Sequence, residues 1–397
     1  MTRPRIRANT HIHLPPNFSA FDSVDEAVDY ANSEDIVILG ASNYYDHTVY
    51  REFAERCRAW KVAPLFGIEI LAMDARLRDT GIKVNDPGNP GKTYLCGKGI
   101  AHFAEPTAAA QALLSRIRTA DEQRMRVMTQ RLDIAMSLRG FGGELAADRI
   151  IDQIAKRCGA PRKTVVLQER HLAQALQGAL FDRILDFERL EFLADLLGAM
   201  PRCAPNDSVA VQNAIRSHLL KTGKPAFVEE KYVSVEEAKR LVLELGGIPS
   251  YPVLLDGAKP LCPFEETPET LIANVRALGT AACELIPVRN RPEMLERYVL
   301  PLRAAGFAVT AGTEHNTLEM IPIAPTALDG APIPEAVQRI FGEGALVALG
   351  HQTRVLAGET GFVDHDGHPN AAYTDAESRI RAFAAMGEAA VGKLIET

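Results

Sequence analysis

The sequence has 397 residues and lacks the features that mark several special classes of protein. No stretch approaches the roughly 20 consecutive apolar residues that a membrane-spanning helix requires. Its six cysteines are scattered without a CxxC pair, which argues against a disulfide framework and against a zinc ribbon. The basic N-terminal segment, Met1 to Arg7, runs into polar residues rather than into the apolar core of a secretory signal. We therefore expect a cytoplasmic protein without a membrane partner.

Other absences narrow the choice of ligand. The sequence has no Lys/Arg-rich run and its net charge is -7, so a dedicated nucleic-acid surface is not expected. A few local Arg or Lys residues are still enough to hold a small anionic substrate. The sequence also lacks a GxxxxGK[ST] phosphate loop and a nucleophile elbow, which argues against a P-loop site and against a Ser-His-Asp hydrolase.

Hydrophobic periodicity divides the chain into segments of two kinds. The first ~70 residues alternate short apolar runs with helical stretches, as βα units do. Residues from about Ala104 to Leu220 have long helical periodicity with few strand signals, which predicts a helical insertion. After Pro225 the βα rhythm returns. This order favours a parallel sheet with crossover helices.

Two histidines and two carboxylates stand out at predicted strand ends. His11 and His13 share one face of a strand, because side chains alternate with a period of two, and this geometry suits two imidazoles on one metal ion. Glu69 ends an apolar strand, where a buried carboxylate must be paired, hydrogen-bonded or metal-bound. Glu314 and His315 follow a third strand, at the kind of end where barrel active sites lie. Taken one at a time, the histidines could be polar loop residues and Glu69 could form a salt bridge at a strand end. Taken together, these residues suit the binding of one divalent ion, zinc, manganese or iron.

The order of these motifs resembles that of the PHP (polymerase and histidinol phosphatase) family of metal-dependent phosphoesterases, which are related to the amidohydrolases. The resemblance runs from Thr10 to about Pro322. Its segments are HIH at 11–13, FGIEI at 66–70, LQERHLA at 167–173, GGIPSYP at 246–252 and AGTEHN at 311–316. They are similar, in that order, to the family's HxH, G-[IV]-E, RPHIA-type, GGxPxxAHP and AGSDxH segments.

The resemblance implies an α/β fold, a distorted (β/α)7 barrel with a helical insertion. Residues 1–103 and 223–323 are then the two parts of the barrel, and residues 104–222 are the insertion. Residues 324–397 lie beyond the resemblance as a helical extension. We expect this extension to cap the barrel or to form a subunit contact in a homo-oligomer.

Departures from the family motifs predict a site with one metal instead of up to three. Four positions that hold histidine in the family hold poorer ligands here: Asn43, Thr93, Tyr251 and Asn316. The ligands of one metal position are retained: His11, His13, Glu69 and Glu314, the last in place of Asp. Because Asn and Tyr bind zinc poorly compared with neutral imidazole, we predict a single divalent ion, zinc, manganese or iron.

The resemblance also assigns the remaining site residues. His315 or Tyr251 is the predicted proton-transfer group, although each also suits a purely hydrogen-bonding role. The predicted substrate-binding residues are Arg170, His171, Asn43 and Asn316. Arg170 and His171 match the insertion motif, whose equivalents in the family contact substrate phosphate; a planar guanidinium pairs well with two oxygens.

These assignments predict a metal-dependent hydrolase of a small anionic substrate, with a phosphate ester as the family default. Two alternatives stay open. One is a lyase or isomerase that acts on a sugar acid through a single metal ion. The other is a non-catalytic descendant that binds an anion. A metal with an open coordination position would favour an enzyme, whereas a site closed by hydrogen bonds would favour the binding protein.

Overall fold

The computed structural model describes residues 6–143 and 145–396, so most of the basic N-terminal segment lies outside the described residues. Eight strands form one sheet. They are β1 Ala8–Ile12, β2 Ile38–Ala41, β3 Ala63–Met73, β4 Lys92–Lys98, β5 Val233–Ser234, β6 Ile248–Val253, β7 Ala282–Leu285 and β8 Ala308–Ala311.

Seven of these strands form a nearly closed barrel in the order β1-β2-β3-β4-β6-β7-β8, and β5 pairs separately with β3. A parallel bridge between Ile12 and Glu314 brings the two edges of the sheet together. The short strand β2 is buried along its whole length, as expected for an apolar strand covered on both faces. The distorted seven-stranded barrel predicted from the motif order is thereby confirmed.

One strand departs from the expected parallel sheet. Strand β4 runs antiparallel to both of its neighbours, β3 and β6. The turn-rich segment from Asn85 to Gly91 precedes β4, and Gly91 has φ +70°. A chain that reverses here returns beside β3 without a crossover helix, so the pairing becomes antiparallel.

Helices surround the barrel and fill the segment between β4 and β5. Those before the insertion are α1 Val24–Ser33, α2 Tyr50–Ala59 and α3 Ala75–Asp79. The insertion contains α4 Ala108–Ser137, α5 Ala147–Cys158, α6 Glu169–Arg183, α7 Arg189–Leu197 and α8 Ser208–Ile215, which continues as a π-helical turn over Arg216–Leu220. The rest are α9 Val235–Glu244, α10 Pro268–Leu278, α11 Pro292–Ala304, α12 Glu335–Leu356 and α13 Ala376–Glu396.

The insertion has a hydrophobic core of its own, to which all five of its helices contribute. Helix α4 joins this core to the barrel, because Ile117 near its start packs with the barrel residues whereas Met128 packs inside the insertion. Helices α6 and α7 are separated by residues 184–188. Arg189 caps the end of α6, where it donates hydrogen bonds to the carbonyl oxygens of Phe181 and Ile184 at 2.9 and 3.0 Å.

The C-terminal extension packs against the barrel. Helix α12 lies on β8 and α13 packs along α12. Gly344 allows the close approach, since a Cβ atom there would lie 2.0 Å from the carbonyl oxygen of Val309. Of the two roles expected for residues 324–397, covering the barrel therefore has structural support, and the subunit contact stays a prediction. No helix in residues 6–143 and 145–396 combines the length and the apolar character needed to cross a membrane.

Candidate metal centre

Strands β1 and β3 place two histidines and a glutamate together inside the barrel. His11 lies in β1, His13 directly follows it, and Glu69 lies in β3. All three side chains are buried. Nε2 of His13 lies 3.1 Å from Oε2 of Glu69, and Nε2 of His11 lies 3.6 Å from the same oxygen. The three donor atoms converge on one point, as the spacing of the two histidines predicts.

The donor atoms of this group fit a divalent metal ion. None of the three has a hydrogen-bond partner in the part of the chain that the structure describes, although buried polar atoms are normally satisfied. Ligands of a tetrahedral zinc ion, each about 2.0 Å from the metal, lie about 3.3 Å from one another. The observed separations of 3.1 and 3.6 Å lie on either side of that value. His11, His13 and Glu69 are therefore the candidate metal centre.

Burial and charge make this centre electrostatically unusual. Burial by itself would raise the pKa of Glu69, but the close approach and the charges of His11 and His13 hold that pKa well below its usual range. Burial by itself would lower the pKa of His11, but the nearby Glu284 carboxylate raises it well above its usual value. A carboxylate that stays ionised in a buried site is suited to hold a cation.

The sequence reasoning missed two residues beneath the centre, Glu284 in β7 and Lys98 in β4. Oε2 of Glu284 lies 2.7 Å from Nδ1 of His11, and Oε1 lies 2.5 Å from Nζ of Lys98. Both side chains are at most 1 % exposed. The sequence did contain a signal for Glu284, because this carboxylate lies within an apolar strand, between Cys283 and Leu285. A carboxylate in that position needs a partner for the same reason as Glu69.

Glu314 does not join the group of three ligands. Its carboxylate is held by Arg289, which donates from Nη1 to Oε1 at 2.9 Å and from Nη2 to Oε2. Asn316 donates to Oε2 of Glu314 at 2.6 Å. Glu314 has φ +62° and His315 has φ +48°, so the chain turns sharply after β8 and directs the carboxylate to the guanidinium. The structure thus places this carboxylate in an ion pair with Arg289, and its role as a fourth ligand stays a prediction.

The structure also does not support the predicted proton-transfer roles of His315 and Tyr251. Nδ1 of His315 lies 2.7 Å from Oγ1 of Thr313, and Nε2 lies 3.0 Å from the carbonyl oxygen of Ile321, so both ring nitrogens are engaged. The Tyr251 hydroxyl donates to Glu265 at 2.8 Å inside a hydrophobic cluster. Each side chain performs the hydrogen-bonding role that the sequence left open.

Two of the predicted substrate-binding residues have structural roles instead. Asn43 binds the backbone of Leu14, accepting from its N–H at 2.8 Å and donating to its carbonyl oxygen at 2.9 Å. His171 caps helix α6, where Nδ1 accepts from the backbone N–H of Gln168 at 3.1 Å. Burial, followed by the charge of Arg157, lowers the pKa of His171 to about 3, so the ring is neutral at pH 7. A neutral, buried cap is unsuited to binding an anion by charge.

The other two predicted substrate-binding residues line a cavity of about 330 Å³ that contains His11 and Glu69 in its wall. Asn316 lies in the cavity wall beside Glu314, to which it donates a hydrogen bond, and Arg170 reaches the cavity from the insertion. The insertion thus forms one wall of the cavity and the barrel forms the other. This arrangement explains why site residues fall on both sides of the helical segment in the sequence.

Arg170 is the cavity residue best suited to hold an anion. No ion pair or hydrogen bond of its guanidinium is observed among the described residues, whereas Arg289 is paired with Glu314. Burial and then the neighbouring charge of Arg216 lower the pKa of Arg170 to about 10, which leaves it protonated at neutral pH. The cavity therefore holds a charged guanidinium whose hydrogen-bond donors are available to a ligand.

Asp121, on α4, lines the same cavity, and its ionisation should make the free energy of unfolding depend on pH. Burial and then the charge of Glu230 raise its pKa from 3.8 to about 7. Because the folded-state pKa lies above the unfolded one, ionised Asp121 opposes folding; this penalty is absent below about pH 4 and complete above about pH 7. Asp121→Asn should therefore become more stable than the wild type as the pH rises from 4 to 8. The full shift corresponds to about 4 kcal/mol, and we expect about 1–2 kcal/mol because water in the cavity screens the charge.

Urea unfolding at pH 4 and at pH 8 measures this difference. The control is Asp182→Asn, which changes an exposed carboxylate of the insertion. A difference between Asp121→Asn and the wild type that is the same at both pH values would contradict the prediction.

Comparisons with known proteins identify similar folds. No protein-family model matches the sequence, and no curated protein gives a significant match. A structure of a proposed metal-dependent phosphoesterase from Bifidobacterium adolescentis is 16% identical, with 85% of this chain and 95% of that chain covered and a TM-score of 0.57. A structure of an amidohydrolase from Chromobacterium violaceum, with bound sulfate and no metal, is 18% identical, with 84% and 96% covered and a TM-score of 0.52. The chain therefore has the barrel fold of these two proteins, which is the fold that its resemblance to the PHP family predicts.

Proposed function

We propose that this chain is a metal-dependent hydrolase of a small anionic substrate, with a phosphate ester as the first candidate. The observation that carries the proposal is the convergence of three buried donor atoms without hydrogen-bond partners among the described residues: Nε2 of His11, Nε2 of His13 and Oε2 of Glu69. A non-catalytic descendant would be expected to close such a site with hydrogen bonds. The fold shared with a proposed metal-dependent phosphoesterase gives further support.

The residues of the chain would divide the work between them. His11, His13 and Glu69 would hold one divalent ion, which supplies Lewis-acid chemistry by polarising water or an ester oxygen. Arg170 would bind the anionic group of the substrate, beside the ion pair of Arg289 and Glu314 in the wall of the cavity. The insertion and barrel walls would exclude bulk water from the bound ester.

Metal analysis and a substrate panel test this proposal together. Protein purified without added metal should contain close to one tightly bound divalent ion per chain; two or more equivalents would contradict the single-metal site. Phosphate release from a panel of phosphate monoesters should require that ion and should stop after chelation. Turnover of sugar-acid lactones with no phosphate release would instead favour the other substrate class.

Arg170 provides a separate prediction on substrate binding. Arg170→Met should raise KM for a phosphate monoester, and the inhibition constant of inorganic phosphate, by about 10–100-fold, because a charge-assisted bidentate contact contributes about 1.5–3 kcal/mol. Steady-state kinetics with phosphate as the inhibitor measure both constants. The control is Arg381→Met, which removes an exposed guanidinium of α13 that pairs with Glu377 of the same helix. Unchanged phosphate inhibition in Arg170→Met would reject the assigned anion site.

A further inference from the structure

We propose that Glu284 is a positioning residue that orients His11 for the metal, and that Lys98 holds Glu284 in place. This inference rests on the proposed function, because it concerns the affinity of the same metal centre. Neither residue belongs to the predicted ligand set, and each lies beneath it in the barrel interior. The two residues would set how tightly the ion binds without contacting it.

The contact between Glu284 and His11 determines which ring nitrogen faces the ion. Oε2 of Glu284 lies 2.7 Å from Nδ1 of His11. An ionised carboxylate only accepts hydrogen bonds, so Nδ1 must carry a hydrogen, and Nε2 is the nitrogen left to bind a metal ion. Nε2 lies on the side of Glu69, 3.6 Å away. The carboxylate therefore selects the tautomer that a metal ligand requires.

The second oxygen of Glu284 is equally constrained. Oε1 lies 2.5 Å from Nζ of Lys98 and accepts from Oγ1 of Thr10 at 2.9 Å. Nζ of Lys98 also donates to the carbonyl oxygen of Thr10 at 3.0 Å and to Oγ of Ser42 at 3.3 Å. One ammonium thus joins β4 and β7 to β1 and to the residue after β2. The position of Glu284 in β7 is consequently determined by three neighbouring parts of the barrel.

The same contacts argue against a second ion beside Glu284. Donor atoms of His11, Cys96 and Glu284 also lie within 4.8 Å of one another. Both oxygens of Glu284 already bind protein groups, however, and the nearest of these is a cation. A metal ion here would face the Lys98 ammonium across one carboxylate. The buried pair supports the ligand His11 and leaves a single metal position.

Two double variants isolate the hydrogen bond to His11. Lys98→Met with Glu284→Leu replaces the pair by apolar side chains and removes the acceptor, whereas Lys98→Met with Glu284→Gln keeps an amide oxygen that can accept from Nδ1. Both leave the barrel interior without a buried charge at this pair. We expect the dissociation constant for zinc, measured by competition with a chelator, to rise about 10–100-fold in the Leu variant and by less in the Gln variant. Equal, wild-type affinity in both would overturn the proposal.

A control variant and a second measurement keep the test decisive. Glu265→Gln alters another fully buried carboxylate, whose partners are Tyr251 and the backbone of Leu254 and Leu255, and should leave zinc affinity unchanged.

Nitrogen-15 NMR of the His11 ring in the metal-free wild type should show hydrogen on Nδ1; hydrogen on Nε2 alone would also overturn the proposal, whether or not the variants fold. If the wild type binds no zinc, the proposed function fails. If the wild type binds zinc and the Glu284 variants bind zinc equally tightly, the proposed function stands and only the positioning role fails.

Discussion

Replacing His13 with Ala is expected to abolish tight metal binding and to lower kcat/KM for phosphate-ester hydrolysis by about 10³-fold or more. The His13 ring is fully buried, and its Nε2 atom lies 3.1 Å from Oε2 of Glu69, so the substitution removes one of the three candidate ligand atoms. Lewis-acid stabilisation of a transition state is worth several kcal/mol, and about 4 kcal/mol corresponds to a 10³-fold change in rate. Metal content by elemental analysis and steady-state kinetics measure the two effects.

An exposed histidine provides the matched control for this variant. His368 lies in the turn from Asp364 to His368, and its side chain is 76% exposed. His368→Ala should retain one equivalent of metal and wild-type turnover. Activity that persists in His13→Ala without bound metal would rule out the proposed mechanism.

Replacing Lys98 with Met is expected to destabilise the metal-free protein by about 3–5 kcal/mol at neutral pH. Removing one partner of a buried ion pair leaves an uncompensated charge, and that loss is typically of this size. Here the charge is that of Glu284, whose carboxylate is fully buried. Urea unfolding of the metal-free wild type and variant measures the difference in the free energy of unfolding.

The pH dependence of this loss follows from the pKa of Glu284. Burial by itself would raise that pKa, but Lys98 and then His11 lower it from 4.5 to about 2. A depressed folded-state pKa contributes stability above the unfolded value, and this stability is lost as the pH falls from about 4.5 to about 2. Without Lys98, the buried carboxylate should take up a proton more readily. The difference between the wild type and Lys98→Met should therefore shrink as the pH falls below about 4.5.

Lys221 serves as the control for the Lys98 variant. Its ammonium lies 2.8 Å from Glu169, but its side chain is half exposed. Lys221→Met should cost only about 0–1 kcal/mol, as is usual for exposed pairs. A loss of less than about 1 kcal/mol in Lys98→Met would contradict the importance assigned to the buried pair.

Much of the barrel and of the candidate metal centre could be predicted from the sequence, because the sequence patterns that indicate them are local. The alternation of side chains along a strand is sufficient to place His11 and His13 on one face. The apolar run around Glu69 is sufficient to predict that this carboxylate is buried. A long stretch of helical periodicity predicts the insertion. The order of these motifs also distinguishes one interrupted barrel from two or three separate domains.

Only the tertiary structure decided how charges pair across the barrel. Lys98 and Glu284 are distant in the sequence and meet because β4 and β7 both contribute to one closed sheet. Glu314 turns to Arg289 because the residues after β8 have positive φ, and no side-chain pattern in the sequence reports that direction. His171 became a helix cap for a similar reason, since its role depends on where α6 begins.

The amino-acid sequence by itself thus indicated, through its resemblance to the PHP family, a barrel with an insertion, and it included His11, His13 and Glu69 among four predicted ligands. The fold alone determined which charged groups remain available. That difference has a physical cause. Periodicity and burial are properties of a few neighbouring residues, but the partner of a buried charge is set by the closest opposite charge in three dimensions. Arg170 illustrates this, because Glu169, its neighbour in sequence, pairs with Arg124 and Lys221 and not with Arg170.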